Sequence, residues 1–292
     1  QLHRGSFRYK RAQYLESVAV KRAEAIVTNS SSLRSELVSR GISPQKLFEV
    51  LNGVDTQAFH PQPPDADLIE RYGLWGKTVI GFIGSFYEYE GLDQLITAML
   101  SLLRTRHNVA LLLVGSGEAE AGLRARIPRE WRGHFIFAGH IEQEDIPRYY
   151  SVMDLLVYPR KSTRLTELTS STRPLEAMAM ERTVIASSIG GMCEVIRHGQ
   201  TGFLVEPENT YSLAALIARL AGNRSERRTI GRQAREYVVE HRDWNCIAGK
   251  YLELYHRLLK HRFPRLHQMP ERPSQDWPTE HAPEREIRVR IK

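Results

Sequence analysis

Between residues 78 and 205 the chain repeats one pattern: a short, unbroken apolar run followed by a stretch whose apolar residues recur at helical spacing. The runs fall at 78–83, 109–114, 134–138, 154–158, 183–187 and 202–205. Because they are continuous instead of alternating, they predict strands covered on both faces, as in a parallel sheet flanked by helices. The expectation is a doubly wound α/β domain. Its ligands belong in the crevice at the C-terminal ends of the strands, where the helices begin.

Upstream, helical spacing over 9–25 leads into a short β-type run at 26–28, and the polar residues 29–32 supply caps for a second helix reaching residue 40. Residues 47–51 read as another strand. These pieces look like the end of an α/β unit, and a chain that opens on Gln1 in mid-helix reads as a fragment. The expected organisation is residues 1–55 as the C-terminal remnant of a first domain, then a proline-bearing linker at 56–77 with room for one short helix. A ligand-binding domain at 78–240 follows, then a helix at 241–261 and a disordered tail at 262–292, where prolines and charges dominate.

Bulk properties exclude several classes. No apolar run approaches the roughly 20 residues of a membrane helix, and no signal-type apolar block opens the chain, so a cytoplasmic location is expected. The two cysteines, Cys193 and Cys246, form neither a CxxC pair nor a metal-type cluster. A net charge of +7 makes a polyanion, an anionic membrane surface or a diphosphate worth weighing. No helix carries the interleaved basic and aromatic residues of a nucleic-acid motif, which leaves nucleic acid off the list of partners.

Four strand-end loops carry candidate chemistry. Gly84 and Ser85 follow the first run, where small residues either let a backbone approach a phosphate or simply make a tight turn; the spacing is not GxGxxG. Gly115-Ser116-Gly117 follows the second run with the same ambiguity. His140-Ile141 ends the third, placed either to meet a nucleobase edge or to pack. The fourth loop runs from Tyr158 through Arg160, Lys161, Arg164, Thr172 and Arg173 into Pro174 and Glu176. Pro174 suits the first position of a helix, with Ser170 to Thr172 as candidate caps, and free amides beside four cations would suit a diphosphate. Glu176 then sits in the first helical turn, able to accept bonds from two vicinal ribose hydroxyls or merely to favour the helix dipole. Gly190-Gly191 ends the next strand and leaves backbone exposed at the crevice.

Glu176-Ala177-Met178-Ala179, the strand at 183–187, Gly190-Gly191, Glu194-Val195-Ile196 and the stretch from Gly199 to Val205 match, in order and spacing, the donor domain of family-four GT-B glycosyltransferases. Residues 25–30 and 51–55 resemble that family's interdomain crossover. The stretch 158–179, with 84–91, looks similar to glycosyltransferases of exosortase-linked exopolysaccharide loci.

The resemblance implies a GT-B type fold in which only the end of the first Rossmann-like domain is present. It implies transfer of a sugar from a nucleotide diphosphate sugar, with retention and no bound metal, to a glycan or lipid-linked acceptor. Exopolysaccharide or cell-surface glycan synthesis is the implied setting, with peripheral contact at the inner face of the membrane compatible. In that assignment Glu176 holds the ribose, residues 169–173 and their cations the diphosphate, Gly190 and Gly191 the crevice near the sugar, and His140-Ile141 the base. The acceptor side falls to the remainder of the first domain, in cis or in trans.

The chain also departs from the pattern. Glu167, the candidate catalytic carboxylate, stands eight residues before Glu176 instead of seven. Ser85 and Glu90 replace an arginine and a lysine usual after the first strand. One lost charge-assisted bond is worth about 1.5–3 kcal/mol, roughly 10- to 150-fold in affinity. Arg160, Lys161, Arg164 and Arg173 are the expected substitutes. The alternative reading is a non-catalytic remnant that binds a nucleotide sugar and transfers nothing.

Overall fold

The structure, a computed structural model, describes residues 6–262. The tail expected to be disordered lies, past Arg262, outside the described residues. The chain begins with helix α1 (Phe7–Arg22), strand β1 (Ile26–Thr28), α2 (Ser31–Ser39), β2 (Leu47–Glu49) and α3 (Ala66–Tyr72). The regular part follows: β3 (Thr78–Ile83), α4 (Leu92–Leu103), β4 (Val109–Val114), α5 (Glu120–Ala125), β5 (Phe135–Gly139), α6 (Ile146–Ser151) and β6 (Leu155–Tyr158). It continues with α7 (Arg164–Leu168), α8 (Arg173–Ala179), β7 (Thr183–Ser187), α9 (Gly190–Val195) and β8 (Phe203–Val205). Three helices close the chain, α10 (Thr210–Gly222), α11 (Arg224–His241) and α12 (Trp244–Arg262).

Strands β3 to β8 form one parallel sheet in the order β5-β4-β3-β6-β7-β8. All six residues of β4 and all five of β7 are buried, as two-sided helix cover demands. Helix α4 shows how the cover is made: Leu92, Leu95, Ile96, Met99, Leu102 and Leu103 recur on one face and are all buried. Between β3 and β6 the strand order reverses. At that switch point the neighbouring loops diverge to opposite faces of the sheet and leave a crevice at its carboxyl edge.

The first residues pack beside this domain without joining its sheet. Strands β1 and β2 pair in parallel as a two-stranded sheet. Helix α1 buries none of its residues, and Tyr14 and Leu15, part of its helically spaced apolar set, stay exposed. Side-chain bonds tie this part to the larger sheet's loops: Ser30 Oγ donates to the Leu168 carbonyl (2.9 Å), and the Ser31 amide and hydroxyl both donate to Glu194 Oε1 (2.8 and 2.6 Å). The chain's return is fixed by Val54 and Trp244, where the Val54 amide donates to Arg242 O (2.9 Å) and the Trp244 amide to Val54 O (3.2 Å).

Candidate functional site

The carboxyl edge of the sheet opens into a cavity of about 340 Å³ lined by the ends of β3, β4, β5 and β6 and by the loop before α8. Gly84, Ser85, Gly115, Ser116, His140, Ile141, Arg160, Ser171 and Arg173 all reach it. Glycine is required where the first two loops meet. At φ +128°, Gly115 passes so close to the Gly84 carbonyl that a Cβ there would stand 1.9 Å from its oxygen.

Helix α8 begins at Arg173, which puts Pro174 at its second position, one later than its sequence suggests. Thr172 precedes the helix but its hydroxyl caps nothing, contrary to the expected role of residues 170–172. The first amides of α8 are therefore not closed off by that side chain. Glu176 is buried in the first turn, and its Oε2 accepts from Arg173 Nη1 (2.7 Å) and from the Tyr150 hydroxyl (3.1 Å). Tyr150 and Tyr158 also aim their hydroxyls at the Arg173 carbonyl (3.2 and 3.3 Å). Burial pushes the Tyr150 hydroxyl well above the usual tyrosine range, with Tyr158 and Glu176 adding to the shift, so it stays a proton donor at neutral pH. Burial acts to weaken the Arg173 cation, but Glu176, with Tyr150 and Tyr158 adding to it, outweighs that, and the guanidinium is held charged.

The four cations of the α8 approach do not converge. Arg160 and Arg173 line the crevice, whereas Lys161 and Arg164 do not. Lys161 points to Asp93 (3.4 Å) and Glu88 (3.7 Å), and Arg164 pairs with Glu36 on α2, across a separate, more open cleft bordered by α1, α2 and α7. Arg160 makes a two-pronged pair with Glu90, Nε to Oε2 at 2.9 Å and Nη2 to Oε1 at 2.7 Å, with side-chain exposures of only 12% and 8%. Both cations that reach the crevice are thus already seated on glutamates. A guanidinium carries five N–H donors, so two occupied by Glu90 leave Arg160 able to bind a further acceptor, as one occupied by Glu176 leaves Arg173.

Glu167 does not reach the crevice in this arrangement. Its Oε2 accepts from the Gly190 amide (2.9 Å) at the start of α9, and its Oε1 from the Ser162 hydroxyl (2.7 Å). The glycine pair has a packing reason: a Cβ on Gly190 would lie 1.9 Å from Glu167 O, and one on Gly191 2.6 Å from Ser170 Cα. These residues let α9 press against α7 and the loop leading to α8. Sequence reasoning missed Tyr150 and the pairing role of Glu90. Tyr150 is 26 residues from Glu176 and reads as an ordinary core aromatic, while Glu90 stood out only as a departure from a basic residue. Among the described residues no group of three His, Cys, Asp or Glu side chains is placed to hold a metal ion.

Comparison with known proteins agrees with this fold. A family profile described as Glycosyl transferases group 1 matches residues 77–223. The chain is 28% identical over 232 residues to a GDP-mannose-dependent alpha-(1-6)-phosphatidylinositol monomannoside mannosyltransferase of Mycobacterium tuberculosis, a match covering 77% of this chain and 60% of that protein. It is 26% identical to the capsular polysaccharide biosynthesis glycosyltransferase CapM of Staphylococcus aureus, over 87% of this chain and 67% of that protein. Anabaena HepE in complex with UDP and glucose superposes with a TM-score of 0.74 at 21% identity, covering 85% of this chain and 66% of that one, a likeness of fold. The chain therefore spans between three fifths and about two thirds of the length of these relatives. With its parallel sheet, switch-point crevice and profile match across the sheet-forming region, the chain belongs to the group 1 glycosyl transferases, of the GT-B fold.

Proposed function

We propose that the crevice at the carboxyl edge of the sheet binds a nucleotide diphosphate sugar and that the chain takes part in transferring the sugar to a glycan or lipid-linked acceptor. The observation that carries this reading is the meeting of Arg160, Arg173, Ser85 and Ser116 in one cavity, with the Glu176 carboxylate directly behind Arg173. A diphosphate lies against the remaining N–H groups of the two arginines, Glu176 offers its other oxygen, Oε1, to the vicinal ribose hydroxyls while Oε2 keeps Arg173, and His140-Ile141 border the base. The relatives named above act with GDP-mannose or have been seen with UDP and glucose, which supports this ligand class without choosing the base.

In transfer, the bond between the anomeric carbon and the diphosphate oxygen breaks as an acceptor hydroxyl attacks, and the hydroxyl's proton passes to the departing diphosphate. Arg160 and Arg173 stabilise the negative charge gathering on the departing diphosphate, an electrostatic contribution that needs no metal. Glu167 acts here by fixing Gly190 and the start of α9. The acceptor approaches from the wider, more apolar cleft bordered by Tyr9, Leu33, Leu165 and Leu168, in the space between residues 6–55 and the sheet domain. Exopolysaccharide or other cell-surface glycan synthesis at the cytoplasmic face of a membrane is the setting this reading favours. None of the described helices is long and apolar enough to cross a membrane.

A thermal-shift panel of UDP-, GDP- and ADP-sugars tests the proposal. One donor raises the melting temperature of the unmodified chain, and Arg173→Ala reduces its affinity by roughly 10- to 150-fold, the loss expected for one charge-assisted bond. No response to any donor, or an undiminished response in the variant, overturns the reading.

A further inference from the structure

The opposite edge of the same sheet holds a second cavity, of about 350 Å³, at the amino ends of β3, β6 and β7. Lys77, Arg182, Arg224, Arg227 and Arg228 line it against two carboxylates, Asp154 and Glu181. Both oxygens of Asp154 are engaged: Oδ2 accepts the Val79 amide (2.9 Å) and Oδ1 takes Arg227 Nη2 (3.3 Å). Arg227 is in turn committed, donating also to the carbonyls of Leu220 (2.5 Å) and Ala221 (3.0 Å). Glu181 is exposed and pairs with no cation at ion-pair distance among the described residues.

That leaves Lys77, Arg182, Arg224 and Arg228 facing one cavity with no carboxylate bound to any of them. Arg182 is the most telling. Its Nε is shut off from solvent and has no hydrogen-bond partner, and burial depresses the guanidinium's affinity for its proton despite Asp154 and Glu181 nearby. A donor left unpaired in such a place costs free energy, and an anion beside the guanidinium would offset part of it by favouring the charged form. Arg224 opens the 18-residue helix α11, whose dipole adds to the attraction. Apart from Ser151, the rest of the lining is apolar, with Pro64, Ile69, Leu74 and Met153 among it, and the volume exceeds that of a simple ion.

We propose that this cavity is a second anion site, distinct from the donor crevice, for the phosphoryl group of a small soluble phosphorylated molecule whose organic part rests on the apolar floor. Guanidinium forks match paired oxygens, which favours an oxyanion over a halide, and a phosphoryl group, with more oxygens and more charge than a carboxylate, can engage several of these cations at once. The site stands whether or not the crevice binds a nucleotide sugar.

Inorganic pyrophosphate, titrated at constant ionic strength into the ¹⁵N-labelled full chain, tests it. Amides of Val79, Asp154, Arg182 and Arg228 shift and saturate. Replacing the two exposed arginines together, Arg224→Gln and Arg228→Gln, weakens that binding by about tenfold or more with the melting temperature retained, as loss of charge-assisted bonds requires. Arg173→Ala, at the other edge of the sheet, leaves those shifts unchanged. The assignment is overturned if these amides do not saturate, if sodium chloride moves them equally, or if the double variant binds as tightly as the unmodified chain. Binding to phosphatidylglycerol vesicles that the double variant loses, with no saturable response to pyrophosphate, would point to a lipid surface and equally overturn it.

Discussion

At the carboxyl ends of the strands Arg160 and Arg173 each rest on a glutamate, whereas at the amino ends Lys77, Arg182, Arg224 and Arg228 line a cavity in which no carboxylate is bonded to any of them. The short helix α8 joins the two places: Arg173 and Glu176 lie in its first turn, and Arg182 follows three residues after its last. The difference concerns what each charge is for. A paired arginine is held in one orientation and presents its spare donors in fixed directions, which suits recognition of a group that must be aligned for reaction. An unpaired cluster keeps its full charge for whatever enters, at a cost in stability.

The largest expected effect tests the paired end. Glu90→Ala leaves the Arg160 guanidinium without its partner, and breaking a buried pair typically costs about 3–5 kcal/mol; the crevice admits water, so the lower part of that range is expected. Adding Arg160→Met to Glu90→Ala recovers most of the loss, since a charge that is absent needs no partner. Urea unfolding of the single and double variants measures both. A cost below about 1 kcal/mol for Glu90→Ala would place this pair with exposed ion pairs and dissolve the contrast.

At the unpaired end the sign reverses. Arg182→Met removes a shielded, unsatisfied Nε and keeps the apolar stem, so in buffer free of phosphate the variant unfolds at higher urea, by about 1–2 kcal/mol. If the variant is instead destabilised by a similar amount, the cavity arginine is a structural partner and the two edges are alike.

The sequence made the sheet legible and much of its chemistry not. The runs at 78–83, 109–114 and 183–187 became β3, β4 and β7 with the same bounds, because two-sided burial writes itself into consecutive residues. The crevice was legible to the extent that it follows from topology: Gly84, Ser85, His140, Ile141, Arg160 and Arg173 meet because strand ends in a parallel sheet share an edge. Side-chain pairing across the fold was not. Arg160 finds Glu90 from 70 residues away and Arg164 finds Glu36 from 128, so four nearby cations in the chain dispersed to three different places. Glu167 shows the same limit, since a carboxylate singled out in the chain as a catalytic candidate serves here as the acceptor for a helix-opening amide.

A third carboxylate gives the comparison a baseline, because its bonded partners are all neutral. Asp243 precedes α12, its Oδ1 accepting the Asn245 amide (2.8 Å) and its Oδ2 the Thr56 hydroxyl (2.5 Å), so it ties the returning helix to the segment after β2. Burial acts to raise its carboxyl pKa, but the bonds from Thr56 and Asn245 outweigh that and the net displacement is downward. A carboxyl depressed below its unfolded value, about 3.9, stabilises the fold at higher pH and loses that contribution as the pH falls through the folded value. Asp243→Asn keeps an oxygen at the cap and removes only the charge at the helix start, so it costs about 0.5 kcal/mol at pH 7. Urea midpoints of the two proteins should stay apart from neutral pH down to about pH 5 and converge below about pH 4, as the native aspartate takes up its proton. A gap that persisted unchanged at lower pH would mean that geometry, not charge, sets the worth of this cap, and the Glu90 result would then have to be judged by packing as well as by pairing.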